Sequence, residues 1–194
     1  MNINDIQQLY YITDIANLSS ILQKGILAYN QAAKINHKSI AEQGVQDRRQ
    51  NKKIPGTNSH LHDYANLYFD AHNPMLSARR HLNDSICVLI ISKDVLKVNG
   101  IIITDQNASR DCRFMTLEDG LALLKAEEVF ARFWLNDDQI EEYRLKGVKC
   151  AEVLVPGRVD VNFITGAYVA NDSALRSFKN VLSLPVEIRP DIFF

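Results

Sequence analysis

Apolar residues along this chain fall into short clusters whose spacing switches between two periods. Leu9-Tyr10-Tyr11-Ile12-Thr13 is aromatic and β-branched, which predicts a strand. Ile15, Leu18, Ile21 and Leu22 then recur at helical spacing, with Thr13 or Asp14 as cap and Gly25 as stop. Residues 29–60 are polar; a helical piece is expected over 39–49 and a loop over NKKIPGTNSH. Residues 65–69 predict a strand, and Pro74 opens a helix. Segments 86–91 and 101–104 are strand-like. A T-x-x-D pattern from Thr116 predicts a helix over 117–126, with helical character again over 129–134 and 138–146. Strands over 151–155 and 163–169 follow, then a helix over 174–181 capped by Asp172 or Ser173, and a last strand at 186–188.

The elements alternate only loosely, and neighbouring strands are close enough for antiparallel pairing. The expected class is α+β, in a single domain over residues 1–194. No G-x-G-x-x-G follows the first strand and no P-loop is present, which disfavours Rossmann and Walker nucleotide modes.

Charge changes this picture in one respect. The 194 residues hold 22 Lys and Arg against 23 Asp and Glu, a net charge of −1. That excludes a bulk electrostatic nucleic-acid binder but permits a local basic patch. The cations cluster at 48–53 and 79–81, whereas acids concentrate at 118–142. Three well-separated cysteines, Cys87, Cys112 and Cys150, read as reduced thiols in a cytoplasmic protein. The first residues read as neither signal peptide nor membrane span, and apolar runs are strand-length, so no membrane partner is expected. His60 and His62 form an H-x-H, but only Asp63 stands near as a further ligand; no metal is expected.

Three segments carry candidate chemistry: 9–27, 61–80 and 149–156. Glu152 sits among Ala151, Val153, Leu154 and Val155, where a carboxylate must face solvent, a cleft or a partner. By itself it also reads as an outward residue of an edge strand. Tyr68 by itself reads as a core aromatic, but strand alternation puts it on the face opposite Leu67 and Phe69, where an aromatic facing a cleft is natural. Tyr11 precedes a helix start, where backbone N–H groups can hold an amide or phosphate.

Together the segments resemble the ADP-ribosyltransferase superfamily in its H-Y-E branch. Leu9-Tyr10-Tyr11-Ile12-Thr13 with Ile21-Leu22-Gln23-Lys24-Gly25-Ile26, Asn66-Leu67-Tyr68-Phe69, and the Glu152 strand match its three motifs in order. The run L-H-D-Y…Y-F…P-M-L at 61–76 narrows the resemblance to DarT-type toxins, as do Thr104-Asp105 with Asn107-Ala108 and K-x-A-E-V-L-V at 149–155. The chain departs from that pattern at Tyr11 and Asp14, where the family commonly has histidines.

The resemblance implies a fold of two packed, mostly antiparallel sheets around an NAD cleft. It implies transfer of ADP-ribose from NAD to a base of single-stranded DNA, with release of nicotinamide and a macrodomain antitoxin as partner, in toxin–antitoxin control or phage defence. Glu152 would be the catalytic carboxylate and Arg48 the catalytic cation near the diphosphate or the acceptor; Tyr11, Thr13, Asn17, Tyr64 and Tyr68 would hold NAD. Arg49, Lys52, Lys53, Arg79 and Arg80 would meet nucleic acid. Two alternatives stand beside it: an RNA-directed transferase of CmdT-like type, and a degenerate, non-catalytic member of the fold that binds nucleotide or nucleic acid.

Overall fold

In the computed structural model, which describes residues 1–181 and 184–194, the apolar clusters become ten strands. In chain order these are β1 (Gln8–Asp14), β2 (Ile26–Leu27), β3 (Tyr64–Tyr68), β4 (Ile86–Ser92), β5 (Ile102–Thr104), β6 (Phe114–Met115), β7 (Glu152–Pro156), β8 (Arg158–Val159), β9 (Ile164–Val169) and β10 (Val186–Ile188). Eight join one sheet in the order β10-β9-β4-β1-β3-β7-β5-β6, and β2 pairs with β8 in a separate ribbon. All pairings are antiparallel except β9 with β10. The α+β expectation holds.

The two expected sheets are the two halves of this one sheet. β1 runs in register with β4 from Gln8–Ser92 to Asp14–Ile86, yet meets β3 at a single pair, Tyr10–Tyr68. Beyond that pair the strands are no longer bonded and the sheet opens. The opening is where most of the residues singled out from the sequence gather.

Period-two alternation sorts the side chains. Leu9, Leu67, Phe69, Leu89, Val153 and Val155 enter the main core, joined there by Leu18 and Ile21, Leu121, and Ala174 and Phe178 from three helices. These helices are Leu18–Lys24, Leu117–Leu123 and Asp172–Lys179. Each fully buried Leu or Phe of this kind contributes about 1.5–3 kcal/mol. Ile12, Tyr68, Val88 and Ala170 lie in a smaller cluster with Leu76, Ile192 and Phe193. Gly25 ends the first helix at φ 82°, and a Cβ there would stand 2.3 Å from the Val159 carbonyl oxygen. Only glycine lets the β2–β8 ribbon pass so close.

Several boundaries differ from expectation for physical reasons. The helix in the polar region runs Gln43–Gln50. The Thr116-capped helix ends at Leu123, and only one further turn, Ala126–Val129, precedes a non-helical stretch. Trp134, expected on a helix, instead packs between His72 and Phe194, at 6.0 and 5.6 Å between ring centroids. The C-terminal helix starts earlier because the cap is Asn171, whose side chain accepts from the Ala174 N–H at 3.0 Å. β2, β6 and β8 have two residues each, too short to show alternation.

Candidate active site

Tyr68 of β3 lies opposite Glu152 of β7. Facing residues of an antiparallel pair share one face, so both side chains point away from the main core. Glu152 has no exposed surface. Arg49 grips it with two parallel hydrogen bonds: Nη1 donates to Oε1 at 2.8 Å and Nη2 to Oε2 at 3.0 Å. The backbone N–H of Ala108 donates to Oε1 at 3.0 Å, and Thr104 Oγ1 accepts from the Glu152 N–H at 3.1 Å. The carboxylate is thus held by a fork of donors from one side and a loop amide from another.

Arg49 is itself buried, near the end of the Gln43–Gln50 helix. Burial pulls its pKa down, but the Glu152 charge and hydrogen bonds raise it further, so the guanidinium stays charged. The Tyr68 phenol is pushed well above its ordinary pKa, first by burial and then by the Glu152 charge. Tyr68 is therefore a neutral aromatic wall that can donate a hydrogen bond but not supply a phenolate.

A cavity of about 890 Å³ fills the opening between β1 and β3. Tyr11 and Thr13 of β1, Tyr64, Asn66 and Tyr68 of β3, and Arg49 all line it. Residues 37–42 roof it, and Asn107, Ser109, Arg110, Tyr143 and Lys146 close the far side. The roof is tied to the first motif. Asn17 Nδ2 donates to the Lys38 carbonyl at 2.9 Å, the Lys38 N–H returns to Asn17 Oδ1 at 2.8 Å, and Lys38 Nζ lies 2.7 Å from Asp14. Thr13 Oγ1 accepts from Asn17 Nδ2 at 3.1 Å. Burial pushes the Tyr11 phenol to about 12. His62 stacks on Tyr29 at 4.0 Å with Nε2 3.0 Å from Gln46 Oε1; burial and then the nearby Arg49 charge lower its pKa. No group of three or more His, Cys, Asp or Glu with metal-holding geometry occurs among the described residues.

The family profile described as "ssDNA thymidine ADP-ribosyltransferase, DarT" matches residues 10–194. This chain belongs to the DarT family. It is 32% identical over 146 residues to a DNA ADP-ribosyl transferase of Thermus sp. (strain 2.9), covering 69% of each chain. It is 28% identical over 203 residues to a DNA ADP-ribosyl transferase–DNA ADP-ribosyl glycohydrolase fusion protein of Thermosipho africanus (strain H17ap60334), covering 97% of this chain and 50% of that one. The chain thus spans about half the length of the fusion. Thermus sp. 2.9 DarT in complex with ADP-ribosylated ssDNA superposes with a TM-score of 0.81 at 28% identity, over 98% of this chain and 97% of the other. The same protein in complex with NAD+ gives 0.73 at 25% identity, over 97% and 98%.

Measured against the DarT pattern, the residues singled out from the sequence fall into three groups. Tyr11, Thr13, Asn17, Tyr64, Tyr68, Arg48, Arg49 and Arg79 all line the cavity. Glu152 lies one layer behind, covered by Arg49. Lys52, Lys53 and Arg80 stand outside the lining; Lys52 donates to the Arg110 carbonyl and sits 5.4 Å over the Phe114 ring.

The two neighbouring arginines divide. Arg49 is buried on Glu152, whereas Arg48 is exposed at the cavity lining on the same helix. Adjacent helical residues point about 100° apart, so only one of the two reaches the carboxylate. Arg49 is accordingly not free for nucleic acid. The Ala108 amide, the 37–42 roof and Arg110 were not anticipated. Arg110 lies 3.9 Å over the Tyr143 ring and donates to the Tyr143 carbonyl at 2.7 Å. A backbone donor carries no residue signature, and the pairing of 110 with 143 is a product of folding.

Proposed function

We propose that this chain transfers ADP-ribose from NAD to a thymidine base of single-stranded DNA and releases nicotinamide. The observation that carries the reading is the buried Arg49–Glu152 fork beside Tyr68, at the wall of a cavity large enough for a dinucleotide. Family membership supplies the acceptor.

The residues present fit NAD as substrate. Tyr68 offers a flat apolar face for the nicotinamide, and Thr13 and Asn17 offer polar contacts. Arg48 and Arg79 are the cations at the cavity for the diphosphate. In the reaction the bond from ribose C1 to the nicotinamide nitrogen breaks, and its electron pair neutralises the pyridinium. The base nitrogen then bonds to C1 through an oxocarbenium-like transition state and gives up its proton. Glu152 faces that positive charge and is the group to receive the proton. Because Arg49 covers it, ribose and base meet the pair rather than a lone carboxylate.

Acceptor capture falls to the 130–143 segment, where Phe133, Leu135 and Ile140 are 69%, 71% and 81% exposed. Apolar side chains left in water on a segment that reaches the cavity at Tyr143 suit stacking against unpaired bases. In the cell we place the chain as a cytoplasmic toxin, its mark removed by a macrodomain glycohydrolase. The Thermosipho fusion, which joins a DNA ADP-ribosyl transferase to such a hydrolase by name, supports that pairing.

Labelled NAD incubated with DNA and RNA oligonucleotides tests the reading. Label is expected on thymidine-containing single-stranded DNA. Label on RNA alone would select the RNA-directed alternative. No transfer and no nicotinamide release would leave the non-catalytic one.

A further inference from the structure

A second cavity, of about 250 Å³, shares no residue with the first. Its walls include Tyr10, Tyr168, Phe130, Arg132 and Arg189. It adjoins the reaction centre: Tyr10 is the register partner of Tyr68, and Asp70, also on its wall, is two residues beyond Tyr68. At about 3.3 Å per extended residue, that is a step of about 7 Å along the chain.

The cavity is built rather than incidental. Gln8 Nε2 donates to the hydroxyls of both Tyr10 and Tyr168, at 3.0 and 3.1 Å, fixing the two rings. The Arg189 guanidinium lies 5.1 Å over the Tyr168 ring and is itself anchored by Asp191 at 2.9 Å. Lys149, almost wholly buried, joins the two sides of the cavity: its Nζ contacts Asp70 on one and donates to the Val129 carbonyl at 3.0 Å on the other. Arg132 Nη1 donates to the Asp191 carbonyl at 2.6 Å, closing the rim.

Charge bookkeeping leaves one free cation. Lys149 pairs with Asp70 and Arg189 with Asp191, whereas Arg132 is exposed and meets no carboxylate among the described residues. Two tyrosine rings, a half-exposed Phe130 and one unneutralised guanidinium match a flat base with one phosphate attached.

We propose that this cavity holds one nucleotide of the acceptor strand flanking the modified base, and so helps set which sequence is modified. Resting on the DNA-transferase reading, the proposal adds to it a specificity subsite. Arg132 takes the phosphate and the Tyr10–Tyr168–Phe130 walls take the base.

An abasic scan tests this. Oligonucleotides carrying one abasic position at each site around the modified base are assayed for kcat/KM with the wild-type chain, Arg132→Ala, and Tyr168→Leu. In the wild type, one flanking position is expected to lose about tenfold when made abasic. In Tyr168→Leu the intact oligonucleotide loses a similar factor, and the abasic change at that position adds nothing further. Arg132→Ala, a surface change that spares the fold, raises KM several-fold and flattens the salt dependence by about one phosphate. NAD cleavage without acceptor stays at the wild-type rate in both. If each variant loses the same factor on every oligonucleotide, or none at all, the cavity is not a nucleotide site. If the wild type labels RNA but no DNA, the acceptor reading falls and takes the subsite with it.

Discussion

The Arg49–Glu152 layer and the 130–143 segment, which reaches the main cavity at Tyr143, are built on opposite principles. In the first, both carboxylate oxygens are paired and the carboxylate has no exposed surface. In the second, three large apolar side chains stand more than two-thirds exposed, Phe133 and Leu135 on irregular backbone and Ile140 in the first turn of a helix. Chemistry that stabilises a developing charge needs dipoles fixed before the reaction. Capture of an unpaired strand needs sticky, adaptable surface. On the proposed reading the difference separates groups that act on the bond from groups that find the substrate, and it can be tested from either side.

The largest effect is expected at Glu152. Glu152→Gln keeps the shape but removes the charge and turns one accepting oxygen into an amide donor facing Arg49; transfer of label to DNA should fall by about 10³-fold or more, measured at a temperature where the variant is shown to be folded. Retained transfer would mean another carboxylate does the work. Next comes Arg49→Ala, which strands a buried carboxylate. It should cost about 3–5 kcal/mol in chemical denaturation, whereas Arg48→Ala on the exposed side should stay within about 0.5 kcal/mol. Equal costs at the two positions would erase the distinction between locked layer and surface.

Phe133→Ser with Leu135→Ser probes the other side. The KM for single-stranded DNA should rise about tenfold while the melting temperature and NAD cleavage hold. A fall in melting temperature instead would show that the segment serves the fold. The smallest effect concerns His62, whose folded pKa lies below the ordinary 6.5, through burial first and the Arg49 charge second. The unfolded chain then takes up the proton first as pH falls. The contribution is whole above about pH 6.5 and is lost as pH drops toward the folded value. His62→Gln should flatten the melting-temperature profile between about pH 6.5 and 5 relative to wild type; an unchanged slope would remove His62 as its source.

Part of the site was legible in the sequence because alternation is a local property. Leu67 and Phe69 face the core and Tyr68 faces away, as period two requires, and the same parity exposes Glu152 to Tyr68. The strand–turn–helix ending at Gly25 was legible for a similar reason, since cap, spacing and stop lie within seventeen residues of one another. Which of Arg48 and Arg49 reaches Glu152 was not legible, because the helix phase across 43–50 depends on which side meets β7, a contact 103 residues distant. Trp134 misled for the same reason: its partners are His72 and Phe194, not its neighbours.

The sequence by itself determined the α+β class and the order of the motifs that carry Tyr68 and Glu152, because periodicity and motif spacing are carried by neighbouring positions. Only the tertiary structure decided that β1 and β3 part after one pair, that Arg49 closes over Glu152, and that a loop amide completes the grip. Those outcomes turn on register and packing between segments far apart in the chain, which no local pattern encodes.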